Sequence, residues 1–273
     1  MGFRMLEQDV SSIQTRNGVG FFRARHLEAT GRISHAFSTR FGGVSPPPFD
    51  SLNLSTSTGD KTSCVRKNKN ILMRTFGLLP SVLLTVNQVH GDSLLIIDSP
   101  LPPVLSEAAH DAIVTDRPGI AIGVLTADCV PVLLHDPERP AIAAVHVGWK
   151  GTALNLCGKT IQVFEERFGT RPENLLVAVG PSIGPCCYEV DEFVRRAFSR
   201  HEGRWQKWAK PQAPSRWRLD LPRANVDLMT SAGVSDENIV WFNACTHCRE
   251  DLFFSHRRDG GVTGRQISFV MME

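Results

Sequence analysis

The stretch TADCVPVLLHDPERPAIAAVHVGWKG, residues 126 to 151, constrains the fold more than any other. Residues 130–134 and 141–147 are apolar runs of strand length. Asp136-Pro137-Glu138-Arg139-Pro140 between them is turn chemistry, because proline presets φ and aspartate bonds its own backbone. The segment reads as a hairpin of two buried strands. A loop over 136–139 places Cys129 directly across from His146 on one sheet face, with Cβ atoms ~5 Å apart. A one-residue slip of that loop would put them on opposite faces. The pairing asks for a third ligand.

The chain around this hairpin mixes strand and helix signals. Residues 21–41 look like a strand entering the glycine loop of HAFSTRFGGVS, and Asp60 or Thr62 can cap a helix running to about Gly77. Residues 83–91 and 93–98 read as a pair of strands, and 111–129 as two strands about the Pro118-Gly119 turn. A helix is predicted over 152–168 with Gly169 beyond its end, and another over 219–234 closed by Gly233. Residues 174–190 form a strand leading into a Gly/Pro loop, and 191–198 a further helix. Three tryptophans among basic residues in 201–218 read as a loop pinned by Trp packing, in preference to a base-stacking surface. Two more strands are expected around RRDGGVTGR. The pattern predicts one domain over 1–273, a mixed-sheet α/β sandwich with β-hairpins and flanking helices, and an N-terminal extension of poor order over 1–20.

Composition narrows the function classes. A net charge of +2 over 273 residues offers no concentrated basic face for nucleic acid. No apolar run approaches the ~20 residues of a membrane span, and the start MGFRMLEQDV lacks a signal-peptide core, so the cytoplasm is the expected location. Seven cysteines, with Cys186 and Cys187 adjacent, fit free thiols or a metal site better than a disulfide framework.

His90, Cys129 and His146 each lie at a strand margin, where functional groups gather. Two imidazoles and a thiolate with a vacant fourth position make a catalytic zinc arrangement. The spacing matches no short metal motif, and a free cysteine also serves as a small buried hydrophobe. CTHC, residues 245–248, could be a redox pair or half of a structural zinc site. No second CxxC completes it and the adjacent Cys186-Cys187 is a poor partner on geometric grounds, so Cys245 and Cys248 read as structural cysteines. Arg40 in STRFGG, Lys150 in GWKG and Arg257-Arg258 in SHRRDGG sit beside glycine turns, where a cation and bare backbone amides can meet an anion. Neither a P-loop nor a GxSxG elbow is present.

The blocks HAFSTRFGGVS, NLS, NQVHG, DAIVTD, LTADCVPVLL, AAVHVGWKG, GPSIGPCCYEV, LDLPRAN and FFSHRRDG…TGR resemble, in order, the YfiH-type family. That family was first labelled polyphenol oxidase or laccase and is now regarded as purine nucleoside phosphorylase. The likeness covers roughly residues 33 to 270. It implies zinc ligands at His90, Cys129 and His146, and phosphorolysis of adenosine, inosine and methylthioadenosine with adenosine deamination. Under that reading purine nucleosides and phosphate are the partners, Arg40 and Lys150 are candidates to position phosphate, and Asp128 moves protons or orients its neighbour's thiolate. CTHC departs a little from the family pattern, in which the second cysteine is variable. Nine histidines, none as a His-x-His pair, do not suit a multicopper oxidase. Copper can still occupy a His₂Cys site, since it binds more tightly than zinc in most such sets. The rival reading is a Cys–His hydrolase or amidase acting on peptidoglycan precursors, with Cys129 as nucleophile and His146 as base. A purely structural zinc would need a fourth ligand that the sequence does not offer.

Overall fold

The computed structural model describes residues 13–98 and 109–273. Its strands and helices begin with β1 (Gln14–Arg16), β2 (Val19–Phe22), α1 (Arg25–Glu28), β3 (Ile33–Ser38) and α2 (Thr62–Thr75). Six strands follow: β4 (Leu83–Thr85), β5 (Leu94–Ile97), β6 (Ala112–Thr115), β7 (Ala121–Thr126), β8 (Val130–Asp136) and β9 (Ala141–Val147). Then come α3 (Trp149–Ala153), α4 (Leu156–Phe168), β10 (Leu176–Val179), β11 (Glu189–Asp191), α5 (Glu192–Ala197) and α6 (Glu202–Trp208). The last are β12 (Ala209–Ala213), β13 (Arg216–Leu219), α7 (Leu221–Ser231), β14 (Ile239–Trp241) and β15 (Gln266–Met272).

Two mixed sheets carry the fold, in the orders β1-β2-β3-β15-β7-β4 and β14-β10-β8-β9-β6-β5, with a small third sheet β11-β13-β12. The period-two alternation of the strands explains how they stack. On β9, Ala141, Ala143, Val145 and Val147 join the core under α4 and α7, whereas Ile142 and Ala144 face the other sheet. On β15, Val270 and Met272 meet them from the opposite side, and Ile267 and Phe269 pack outward with Leu72 and Met73 of α2. The result is helix, sheet, sheet, helix. Helix α4 holds its layer through Leu156, Ile161 and Phe164, all fully buried. Each such side chain stabilises the fold by ~1.5–3 kcal/mol relative to exposure. The α/β sandwich read from the sequence is the observed class.

The register of the central hairpin differs from the expected one. Asp136 pairs with Ala141, so the loop is 137–140, and Pro131 stands opposite His146. The cause is the Asp136 side chain, whose Oδ1 accepts the Glu138 and Arg139 N–H groups at 2.8 and 3.0 Å and closes the turn from the strand's last position. The shift is an even number of residues, so Cys129, just before β8, still shares a face with His146.

Other boundaries change as well. Residues 14–16 and 19–22 are strands of the first sheet, so the expected extension over 1–20 is partly structural; its residues 1–12 lie outside the described residues. The single strand expected over 21–41 is β2 and β3, which must reverse through α1 to pair antiparallel, Phe21 with Ser38. Lys61, not Asp60 or Thr62, is the N-cap of α2, because Asp60 Oδ1 accepts the Lys61 N–H and its Oδ2 accepts from Ser45. The helix expected over 152–168 breaks at Asn155, which takes φ 57° and caps α4 through Gly158 N–H. Residues 201–218 hold α6 and the β12–β13 hairpin in place of a loop, although their tryptophans do pack: Trp208 is buried and its Nε1 donates to Asp227 at 2.8 Å. RRDGGVTGR is followed by β15 but not preceded by a strand; Phe253 and Phe254 fill the core there from irregular backbone.

The sequence neighbours β4 and β5 lie in different sheets, and so do β6 and β7, and β7 and β8. β4 pairs with β7 in the first, β5 with β6 in the second. The chain therefore crosses between sheets over 86–93, from β6 to β7 and back from β7 to β8, and the first and last of these crossings carry candidate ligands. Among the described residues no helix is long and apolar enough to cross a membrane.

Candidate metal centre

His90 lies on the crossing from β4 to β5, Cys129 on that from β7 to β8, and His146 near the end of β9. The structure brings all three together, with their ligand atoms within 4.8 Å of one another. The two rings meet edge to face at 4.8 Å between centroids. His146 is buried, Cys129 half-buried and His90 exposed, so the trio forms the floor and one lip of a cleft. Gly148 follows β9 beside Cys129. A Cβ there would stand 3.1 Å from His90 Cδ2 and 3.2 Å from Cys129 Sγ, so glycine leaves the space among the ligands clear.

One buried carboxylate organises this arrangement. Asp111, fully buried, accepts a 2.7 Å hydrogen bond from His146 Nδ1, which leaves Nε2 to face the cleft. Asp111 also accepts the backbone N–H groups of Val89, His90 and Gly91 at 3.3, 3.0 and 2.7 Å. Successive N–H groups converging on an anion form a nest, and this one holds His90 at φ 61°, a backbone region that non-glycine residues rarely take. Burial pushes the Asp111 carboxyl up, but His146 and the Gly91 and His90 N–H groups outweigh it and leave the group below its usual range. Carboxylate-oriented imidazole is the outer partner that metal-binding histidines favour.

The charges fit a cation. Burial pushes the Cys129 thiol up, yet His146 and then His90 bring it down to about 6. Burial pulls His146 down, and Cys129 and Asp111 raise it instead. The thiol thus ionises readily, the form a metal ligand requires. Two imidazoles and one thiolate are a donor set that would suit zinc with one position to spare; copper takes the same atoms.

Asp128 stands beside Cys129 at φ 97° with both carboxylate oxygens engaged. Thr246 Oγ1 donates to Oδ1 at 2.6 Å, the Arg257 N–H to Oδ2 at 2.7 Å, and the Ile183 N–H to its backbone oxygen at 2.9 Å. It serves to fix the backbone that presents the thiolate.

Neither residue expected to position phosphate lies on this cleft. Arg40 gives its donors to the Asp50 carbonyl at 2.8 Å, the Asp50 carboxylate at 3.1 Å and the Glu250 carbonyl at 3.1 Å, and stacks over Phe254. It locks the glycine loop. Lys150 is exposed and sits over the Trp149 ring at 5.5 Å. The cleft, about 950 Å³, is lined by the trio together with Arg66, Lys69, Arg257, Arg265, Trp149 and Tyr188 among others. Arg257 was within reach of the sequence reading through SHRRDGG. Arg66, Lys69 and Arg265 were not, because nothing local marks them.

Asp111 was missed too, although DAIVTD was a recognisable block. The four remaining loop cysteines depart from expectation in the opposite sense. Cys186, Cys187, Cys245 and Cys248 gather with their sulfurs within 4.8 Å, although the adjacent pair reads from the sequence as a poor partner for CTHC. The reason is the parallel pairing of β10 and β14, which releases both loops from the same end of the sheet.

Asp111→Asn should weaken zinc binding at the trio by ~10–100-fold, the usual cost of losing an outer partner. Competition against a chromophoric chelator measures it; unchanged affinity would remove Asp111 from the centre.

The family model described as multi-copper polyphenol oxidoreductase laccase matches residues 34–273. A Bacteroides thetaiotaomicron protein named purine nucleoside phosphorylase is 34% identical over 253 residues, 90% of this chain and 94% of that protein. The Escherichia coli K12 protein named purine nucleoside phosphorylase YfiH is 37% identical over 240 residues, 88% of this chain and 94% of the other. The crystal structure of the Bacillus licheniformis hypothetical protein YfiH superposes with a TM-score of 0.88 at 29% identity, covering 96% of this chain and 99% of that one.

Proposed function

Because the chain belongs to the multi-copper polyphenol oxidoreductase laccase family, with relatives named purine nucleoside phosphorylases, we propose that it is a zinc-dependent purine nucleoside phosphorylase that also deaminates adenosine. The observation that carries this reading is the His90–Cys129–His146 group, braced by Asp111, at the base of a cationic cleft. Nine histidines without a His-x-His pair favour one ion over a multi-copper assembly.

Zinc held there supplies a Lewis acid and lowers the pKa of a coordinated water towards ~7. The chain's own residues do the rest. His146, fixed by Asp111, the ionised Cys129 and His90 would hold the ion. Arg66, Lys69, Arg257 and Arg265 line the cleft and supply positive charge to bind a phosphate dianion for attack on C1′ of the nucleoside. Tyr188 and Trp149 offer ring faces to a purine or ribose. Adenosine, inosine and methylthioadenosine are the substrates of this reading, with the cytoplasm as its setting.

A thiol hydrolase is the second reading, favoured by the hold that His146 exerts on the Cys129 thiol. Phosphate and chelation separate the two. In phosphate-free buffer the enzyme should convert adenosine to inosine and form no ribose 1-phosphate, which has no other source of phosphorus. Added phosphate should release free base together with ribose 1-phosphate. Exhaustive chelation should stop both reactions and zinc should restore them. Undiminished turnover by verified metal-free enzyme, blocked by alkylation, would replace this reading with the thiol one.

A further inference from the structure

The loops after β10 and β14 start side by side, with Val179 paired to Trp241, and an isolated parallel bridge from Ser182 to Cys245 extends that register. One loop carries Cys186 and Cys187, the other Cys245 and Cys248. All four are free thiols. Cys248 Sγ lies 3.3 Å from Cys187 Sγ and 3.6 Å from Cys186 Sγ, and the four sulfurs lie within 4.8 Å of one another. A tetrahedral zinc with Zn–S bonds of ~2.3 Å holds its sulfurs ~3.8 Å apart, so the cluster already has that scale. Around it the backbone is shaped to the sulfurs. The Gly184 N–H donates to Cys245 Sγ at 3.3 Å, and a Cβ on Gly184 would lie only 3.4 Å from Cys186 Sγ.

We propose that Cys186, Cys187, Cys245 and Cys248 form a second metal centre, a closed four-thiolate site for structural zinc, separate from the His90–Cys129–His146 group. Four protein ligands with no open position are the mark of a structural site, and an all-sulfur tetrahedron selects zinc among common cellular divalent ions. Its task follows from what the two loops hold. Ile183, on the first, donates its N–H to the Asp128 carbonyl; Thr246, inside CTHC on the second, donates to the Asp128 carboxylate. The ion ties together the two segments that grip the residue next to Cys129. It braces the wall of the cleft from behind without touching substrate.

The test uses the full chain, kept anaerobic and reduced, loaded with zinc and freed of unbound metal. Elemental analysis should find two ions per chain in the unaltered protein, one in Cys129→Ala and one in the double variant Cys187→Ser/Cys245→Ser. Cobalt in Cys129→Ala should give the intense sulfur-to-metal charge-transfer absorption of a multi-thiolate tetrahedron. No substitution is needed for the third arm: Cys186 and Cys248, though exposed, should resist iodoacetamide in the zinc-loaded protein and react once a chelator is added. A Cys129→Ala chain that folds yet binds no zinc overturns the proposal. So does alkylation of Cys186 and Cys248 at the same rate with and without zinc, or a disulfide among the four in the zinc-loaded protein. These outcomes are independent of the reaction catalysed at the other centre.

Discussion

Cys129→Ala should empty the centre formed with His90 and His146 and abolish phosphorolysis. Thiolate is the one anionic ligand of the three, and the one that most offsets the charge of a bound dication. Without it two imidazoles remain, one buried and one on the rim, and neither offsets the cost of stripping water from a dication. The loss of affinity should exceed the ~10–100-fold expected for an outer partner such as Asp111. Zinc titration of the variant at constant circular dichroism measures the first effect, and ribose 1-phosphate formation the second. Cys64→Ala, which removes a thiol of α2 that belongs to neither group, should keep both properties. A Cys129→Ala protein that still binds zinc tightly at His90 and His146, or still turns over, would sink the assignment.

Gly180→Ala should destabilise the fold by about 3 kcal/mol, the upper end of what overpacking a core costs. Gly180 leaves β10 between the two sheets. A Cβ there would lie 2.3 Å from Phe37 Cδ1, 2.4 Å from Cε1 and 2.9 Å from Pro131 Cγ. Phe37 is fully buried and packs on Phe242 at 5.0 Å between centroids, so its rigid ring has nowhere to move. Pro131 belongs to β8, two residues from Cys129, and a shift there reaches the thiol. The urea midpoint should fall with the slope unchanged. Gly203→Ala, in α6 with open space around it, is the counterpart: it should raise the midpoint slightly through helix propensity. Equal midpoints for Gly180→Ala and the unaltered chain would mean that the sheets yield more easily than their packing suggests.

How much of this was legible depends on the range of the interaction. The apolar runs of β8 and β9 mark themselves, since strands covered on both faces need continuous hydrophobicity. Their parity placed Cys129 and His146 on one face even though Asp136 moved the turn. His90 was nameable because it ends a β-like run before a glycine, and the family blocks converge on the same trio. Asp111 was not nameable. It acts by accepting from Val89, His90 and Gly91 on one segment and His146 on another, and no local pattern announces a carboxylate shared across a sheet. The thiol cluster failed for a related reason. A doublet and a CxxC become one group only because β10 and β14 pair in parallel. Arg40 misled in the opposite direction: a cation beside two glycines can be a phosphate clamp or a loop lock, and the acceptors Asp50 and Glu250 decide for the lock. The Trp-rich segment showed its packing but hid its helix and hairpin, since basic residues and prolines mask the periodicity.

The place of β15 has a further consequence, one of timing. It sits between β3 and β7, so its pairing with Phe37 and with Val124 completes the first sheet. During synthesis β3 emerges early and β15 last among the strands. Every described strand of the second sheet, and every residue of the two candidate metal groups, precedes β15 in the chain and emerges before that gap can be filled. Until then β3 and β7 each present an open edge of unpaired N–H and C=O groups, the template on which chains aggregate. Pairings so distant in sequence also form slowly. A nascent chain of this protein therefore presents the candidate ligands of both groups and an unclosed seam beside them until β15 has emerged and paired.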